Sequence, residues 1–301
     1  MRPDTRVSRL GAPLAAALAI AAAASAAAAD PVRVMSYNIR VDVPTDRPTW
    51  IERRPHMARQ IAFFDPDLLG VQEAQPAMVD YLAGQLPAYD RYGLGRDDGR
   101  EGESTTLFWR RDRFERLEAD TLWCSPTPDR PSKGWDAAYP RTVTRLVLRD
   151  RTDGGLLDVR NTHFDNVGAV ARERCAEIVS GLPAAVVDGR TARVVLMGDL
   201  NTGPDTAPYR RILASGLTDA RAASPVSFGP EGTFNAFDIA ADNDGAAIDH
   251  VFVGPGVKVL RFGVMTESFG GQVISDHFPL VVDIEAAEER EAERAGAGVR
   301  P

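Results

Sequence analysis

The chain has 301 residues, 44% of them hydrophobic and 26% charged, with a formal net charge of −8 at pH 7. That length is ample for one large core, and the acidic balance argues against a protein built to coat long nucleic acid. Two cysteines, Cys124 and Cys175, make neither a disulfide framework nor a zinc knuckle.

Residues 1–29 carry Arg2, Arg6 and Arg9, an apolar run from Leu10 to Ala24, and Ala27-Ala28-Ala29 before Asp30. This is the layout of a secretory signal peptide, since the run is short and alanine-rich against the ~20 apolar residues a span needs. An uncleaved anchor is the competing reading. Cleavage would remove three Arg and one Asp, leaving 32 basic and 42 acidic side chains, a net charge of −10. The mature protein is expected to be secreted or periplasmic and to have no membrane-spanning segment. No repeat or long Gly/Ser/Pro linker divides it, so one domain is expected over residues 30–285 and a flexible charged tail over 286–301.

In chain order, Val32 to Asn38 reads as a strand ending on an amide. Trp50 to Phe64 reads as a helix with Met57, Ile61 and Phe64 on one face, and Leu68 to Glu73 as a short apolar strand ending on a carboxylate. Pro76 to Leu86 suits a second helix, and Gly93 to Gly102 is a glycine- and charge-rich loop. Strands are expected at Thr105 to Trp109, Thr121 to Cys124, Arg141 to Leu148 and Leu156 to Phe164, with an irregular proline-rich stretch from Pro126 to Pro140. In the helix expected over Val170 to Leu182, Cys175 shares a face with Ala171 and Ile178, so it is read as a small core residue rather than a bridge partner. Val194 to Met197 is a buried strand that Gly198 ends, and Ile248 to Val253 and Leu280 to Ile284 are the last strands. Strands and helices intersperse without strict alternation, which points to an α/β sandwich with mixed sheets.

The strand ends repeat one pattern. Asn38, Glu73, His163, Asp199 with Asn201, Asp249, and Asp276 with His277 all sit where an apolar strand meets a loop. One such end is an ordinary turn; six suggest chemistry carried by a rigid scaffold. Of the four histidines, His163, His250 and His277 fall in these clusters. His250 should face away from Asp249 along its strand, so it is read as structural, as is His56.

These residues carry a resemblance. Ser36-Tyr37-Asn38-Ile39, Gln72-Glu73, Asn161-Thr162-His163, Gly198-Asp199-Leu200-Asn201, Ile248-Asp249-His250 and Ser275-Asp276-His277 stand in the order of the endonuclease/exonuclease/phosphatase superfamily. The match runs from about Val32 to Ile284. Gly95 to Gly99, Pro131 to Asp136 and Gly232 to Asn235 resemble a secreted bacterial subgroup nearest the deadenylase branch. The resemblance implies a four-layered α/β sandwich, two mixed β-sheets packed face to face with helices on the outer faces. It also implies a Mg²⁺- or Mn²⁺-dependent phosphate-ester hydrolase, with Glu73 and Asn38 holding the principal metal and Asp276 contributing to a second site. Asp249 and His277 would pair, Asp199 with Asn201 would orient water or protonate the leaving group, and His163 and Arg141 would bind phosphoryl oxygens. Glu103 is a further polar contact on the same rim. One departure matters: abasic-site endonucleases place an aspartate where this chain has Arg40, with Asp42 the nearest substitute.

Hard oxygen donors suit Mg²⁺ or Mn²⁺, and a carboxylate–imidazole pair suits proton handling near neutral pH. The expected substrate is a phosphodiester, in a nuclease-like reaction on single-stranded or short nucleic acid. Arg40, Arg53, Arg54, Arg96, Arg100 and Arg141 would form a basic rim, with Trp50, Trp135, Phe234 and Phe237 near enough to stack a base. The alternatives are a small sugar or inositol phosphate, or a non-catalytic binding module on the same fold. A monomer is expected.

Overall fold

A computed structural model describes residues 30–240, 245 and 247–286. The readings of 1–29 as a signal peptide and of 286–301 as a tail fall outside the described residues, except that Ala286 is the last residue of a strand.

β1 (Val32–Asn38), α1 (Trp50–Phe64), β2 (Leu68–Gln72) and α2 (Pro76–Gln85) come first. β3 (Tyr89–Tyr92), β4 (Leu107–Arg110), β5 (Phe114–Trp123), β6 (Thr142–Asp150), β7 (Leu156–His163) and α3 (Ala169–Gly181) follow. A hairpin of β8 (Val186–Val187) and β9 (Arg190–Thr191) precedes β10 (Arg193–Asp199), α4 (Ala207–Ala214), β11 (Thr218–Asp219) and α5 (Ala220–Ala223). Next come β12 (Ser227–Phe228), β13 (Asp249–Val253) and β14 (Val257–Val264). The hairpin of β15 (Ser268–Phe269) and β16 (Gln272–Val273) leads into β17 (Leu280–Ala286).

Seven strands form one sheet in the order β12-β14-β17-β1-β2-β4-β3, and six form another, β11-β13-β10-β7-β6-β5. Each is mixed: β1 runs parallel to β2 but antiparallel to β17, and β10 runs parallel to β7 but antiparallel to β13. The sheets pack face to face through Val34, Leu68 and Val282 on one and Val159, Val195 and Val251 on the other. Met57, Ile61, Met78 and Leu82 of α1 and α2 cover the outside of the first sheet. Cys175, Val179 and Ile212 of α3 and α4 cover the second. This is the expected four-layered α/β sandwich. Each such buried side chain contributes roughly 1.5–3 kcal/mol of transfer free energy.

The helix over 50–64 forms at its expected bounds because Glu52 reaches back to the Thr49 N–H (2.7 Å) and Asp65 leaves in a left-handed turn (φ 45°). β5 is longer than expected because its solvent face is charged, which hides the alternation. β14 escapes notice for the same reason, with Lys258 and Arg261 on its open face.

One expectation is overturned. Cys124 and Cys175 are joined in a disulfide, with Cα atoms 5.0 Å apart, although Cys175 does lie on the buried face of α3. The sequence put Cys175 inside correctly, but nothing local showed that the end of β5 packs against that face.

Two polar layers lock the sheets together beneath one edge. Asn161 donates to the carbonyls of Val71 (2.9 Å) and Thr106 (3.2 Å) and accepts from Gln72 Nε2 (2.7 Å). Thr105 meets the hydroxyls of Thr142 (3.1 Å) and Thr144 (3.0 Å). Buried polar groups bonded in this way fix one register between the sheets.

Candidate active site at the strand ends

Register brings the strand-end residues into one row. Parallel pairing of β10 with β7 sets Asp199 opposite His163, and antiparallel pairing with β13 sets it opposite Asp249. Across the sandwich, β1 pairs with β2 so that Asn38 lies beside Gln72, one residue before Glu73. Gly198 permits the close approach of β10 and β7: at φ 144°, a Cβ there would stand 2.0 Å from the Thr162 carbonyl oxygen.

Asn38 spans the two sheets, its Nδ2 donating to Glu73 Oε1 (3.0 Å) and Asp199 Oδ2 (2.9 Å). Its Oδ1 accepts from the Arg40 N–H (3.0 Å), so in this geometry the amide orients the two carboxylates and turns its oxygen away from Glu73. Glu73 also accepts from the Val41 N–H (2.8 Å). Arg40, Glu73 and Asn201 all have left-handed backbones, with φ of 54°, 61° and 49°. Non-glycine residues held there cost of order 1–3 kcal/mol each and cluster at functional sites.

Asp249 Oδ2 accepts from His277 Nδ1 (2.8 Å) and from the Thr233 hydroxyl (2.6 Å). His277 Nε2 then faces Asp199 Oδ2 at 3.8 Å. Burial alone would lower the His277 pKa, but the charges of Asp249 and Asp199 outweigh it and push it up to about 10. Burial first, then the charge of Asp249, push Asp199 up to about 7, against the pull of His277 and the Asn201 N–H.

On the other flank of Asp199, His163 Nδ1 lies 3.0 Å from Arg141 Nη1. A guanidinium only donates, so Nδ1 accepts and the proton of the neutral ring is on Nε2. Nε2 lies 3.5 Å from Asp199 Oδ2, its acceptor, and 3.0 Å from Asn201 Nδ2, which donates to the Phe164 carbonyl (3.0 Å). Burial, with Arg141 adding, holds this imidazole well below its usual pKa. Arg141 is itself buried and bonded to Asp165 (3.2 Å) and Asn166 (3.1 Å), so it orients His163 rather than standing open to solvent. Four backbone N–H groups, from Ala138, Tyr139, Val167 and Gly168, hold Asp165. They outweigh its burial and bring its pKa down to about 2.

Glu103 and Arg96 form an ion pair (2.7 Å) in the cleft beside Glu73. Asp276 lies by Arg40 Nε (3.7 Å); burial, with the charge of Glu73 adding, raises its pKa against the pull of His277 and Arg40. Asp42, the suggested substitute for the missing aspartate, is exposed, and Asp46 grips Arg40 instead (2.8 Å). His250 is structural, bonded to the Thr202 carbonyl (3.1 Å), and His56 stacks on Phe269.

Two carboxylate groups are candidates for a divalent ion. The ligand atoms of Asp199, Asp249 and His277 lie within 4.8 Å of one another, all buried. A proton on His277 already balances that group. Glu73 and Asp276 offer hard oxygens, and the charge of Glu73 helps raise the Asp276 pKa, which fits a hard cation.

Sequence reasoning missed Thr233, Arg53, Asp165 and Arg96 as supports. The Gly232-Thr233-Phe234-Asn235 stretch was visible as a motif, but its bond to Asp249 is a tertiary fact. Arg53 was expected on a basic rim; it is fully buried and clamps the turn after β1 through the carbonyls of Ile39 (2.5 Å) and Arg40 (2.7 Å).

No curated protein matches the chain. A mannosyl-6-phosphatase of Bacteroides thetaiotaomicron is 32% identical with a TM-score of 0.79, over 84% of this chain and 99% of that one. A family protein of Bacteroides vulgatus is 31% identical at 0.79, over 85% and 99%. The fold is shared with TDP2 of D. rerio in complex with single-strand DNA product, at 17% identity and 0.64, over 85% and 99%. The Endonuclease/Exonuclease/phosphatase family itself matches residues 35–277, and with the geometry above this chain belongs to that family of metal-dependent phosphoesterases.

Proposed function

We propose that the chain is a Mg²⁺- or Mn²⁺-dependent phosphomonoesterase acting on a compact phosphate ester outside the cytoplasm. The observation that carries this reading is the state of the arginines around the site. Arg53 and Arg141 are buried and bonded, Arg40 grips Asp46, Arg96 grips Glu103, and Arg54 lies 4.4 Å over the ring of Tyr81. Of the six expected to form a basic rim, Arg100 is left exposed. A nucleic-acid backbone needs a row of free cations, and this rim offers few. The 32%-identical mannosyl-6-phosphatase supports the same reading, and the disulfide suits an oxidising compartment.

In this reading Glu73 and Asp276 hold the metal, and Asn38 fixes Glu73. The bound ion would supply positive charge to the phosphoryl oxygens and the leaving oxygen. Asp199 orients the attacking water and takes its proton, placed for this by the Asn201 N–H (2.7 Å) and Asn38. His277, protonated beside Asp249, donates to a phosphoryl oxygen; His163, neutral, donates from Nε2. Preorganised donors aimed at developing charge supply the largest share of such a rate enhancement.

A second reading keeps the nuclease-like phosphodiesterase. Phe234 and Trp135 are half-exposed, and Phe234 lies 5.0 Å from the His277 ring, where a base could stack. Trp50 is in the core and drops out. The test uses residues 30–301 with Mg²⁺, Mn²⁺ or EDTA against an aryl phosphomonoester, a bis-aryl phosphodiester and labelled single-stranded RNA and DNA. Metal-dependent monoester turnover, lost in Asp199→Ala and His277→Ala, is expected. Diester or oligonucleotide cleavage alone would install the second reading. Silence on every substrate, with no metal effect on melting, would favour a binding module.

A further inference from the structure

The turn after β1 is pinned along its backbone. Arg40 N–H donates to Asn38 Oδ1 (3.0 Å), the Arg40 carbonyl accepts from Arg53 Nη2 (2.7 Å), and the next N–H, from Val41, donates to Glu73 Oε2 (2.8 Å). These bonds hold Arg40 at φ 54°, a left-handed conformation that non-glycine residues keep mainly at functional sites. The same Asn38 and Glu73 that shape the candidate metal site therefore also aim Arg40, and its Nε comes to rest 3.7 Å from Asp276.

The guanidinium is used on one edge. Nε and Nη2 meet the two oxygens of Asp46 (2.8 and 3.4 Å), which leaves Nη1 and the second hydrogen of Nη2 without a partner among the described residues. About a third of the side chain stays exposed, at 30%. The other arginines of the site are more fully engaged. Arg53 gives Nη1 and Nη2 to backbone carbonyls. Arg141, at the end of the proline-rich segment that walls the cleft beside Glu73, gives Nε to Asp165, Nη1 to His163 and Nη2 to Asn166. Arg96 pairs with Glu103 and keeps 11% of its side chain exposed. The open edge of Arg40 is the end-on fork, two parallel N–H groups that match two oxygens of one phosphoryl group.

We propose that Arg40 is a catalytic residue that takes two terminal oxygens of the phosphoryl group end-on, the role the sequence assigned to Arg141. This rests on the phosphomonoesterase reading and sharpens it. A phosphomonoester has three terminal oxygens, so it fills the fork and keeps one over for the other donors of the centre. A diester has two, and filling the fork leaves none. Arg40 therefore favours monoesters over diesters.

The test compares wild type, Arg40→Gln and Arg40→Lys on an aryl phosphomonoester and a bis-aryl phosphodiester. Inhibition by inorganic phosphate, Mn²⁺ binding followed by electron paramagnetic resonance, and melting temperatures accompany the rates. In folded Arg40→Gln, kcat/KM on the monoester should fall about 10- to 100-fold and phosphate should inhibit about 10-fold more weakly, while the diester loses less. Arg40→Lys keeps the charge without the fork and should recover part of the loss. Mn²⁺ affinity should not weaken, because the substitution removes a positive charge beside Asp276. Equal losses on both esters, unchanged phosphate inhibition, full recovery by lysine, or Mn²⁺ binding that weakens in step with the rate would each overturn the proposal and leave the phosphomonoesterase reading standing. A wild type that turns over no monoester overturns that reading, and the role of Arg40 with it.

Discussion

His163 and His277 flank the same carboxylate oxygen of Asp199, at 3.5 and 3.8 Å, and both are buried. Their partners differ: His163 has the Arg141 guanidinium on Nδ1, whereas His277 has Asp249. The first ring is therefore held neutral and the second held as a cation. Burial alone would keep both neutral, so the carboxylates beside His277, Asp249 first, make the difference. The centre thus presents one neutral ring and one charged ring around a single carboxylate.

The sharpest way to break this arrangement is to remove the group between the rings. Asp199→Asn should lower kcat/KM by at least about 10²-fold, the usual cost of losing a general base, with the melting temperature retained. Asp249→Asn separates the rings by charge: it should cost about 10-fold or more and also reshape the pH profile. In the wild type, kcat/KM should rise as Asp199 loses its proton through about 7 and fall as His277 loses its own through about 10. Without Asp249 the His277 pKa drops, so the alkaline fall moves to lower pH; an unmoved limb would assign it to another group. Arg141→Gln removes the cation that adds to burial in keeping His163 neutral. It should raise that pKa and cost a few-fold in rate, followed by the histidine ring signals in NMR.

The smallest effect is on stability. The folded Asp165 pKa of about 2 lies below its ordinary value, so its stabilising contribution is complete above about pH 4 and is lost as pH falls toward 2. Melting temperatures of wild type and Asp165→Asn should therefore differ near neutral pH and converge in acid.

Much of this site was legible in the sequence because each group ends an apolar strand, and strands in a sandwich end together. Asn38, Glu73, His163, Asp199 and Asp249 were found in that way. What decides their charge was not legible. The Arg141–Asp165 support joins residues from separate loops, and Thr233 reaches Asp249 from a segment with no regular structure. Arg53 looked like a surface residue of an amphipathic helix, yet its guanidinium is spent on backbone carbonyls of a strained turn. Such pairings depend on packing across layers, which periodicity does not encode.

The disulfide lies where the chain leaves β5 for the proline-rich segment, and Cys124 N–H also bonds the Arg141 carbonyl (2.7 Å), where that segment returns. Both ends of the cleft wall are thus moored to α3 by one redox-sensitive bond, while the catalytic row hangs on the sheets. A thiol-reducing milieu would slacken the wall before the row. Oxidation completes the wall and leaves the row as the sheets set it.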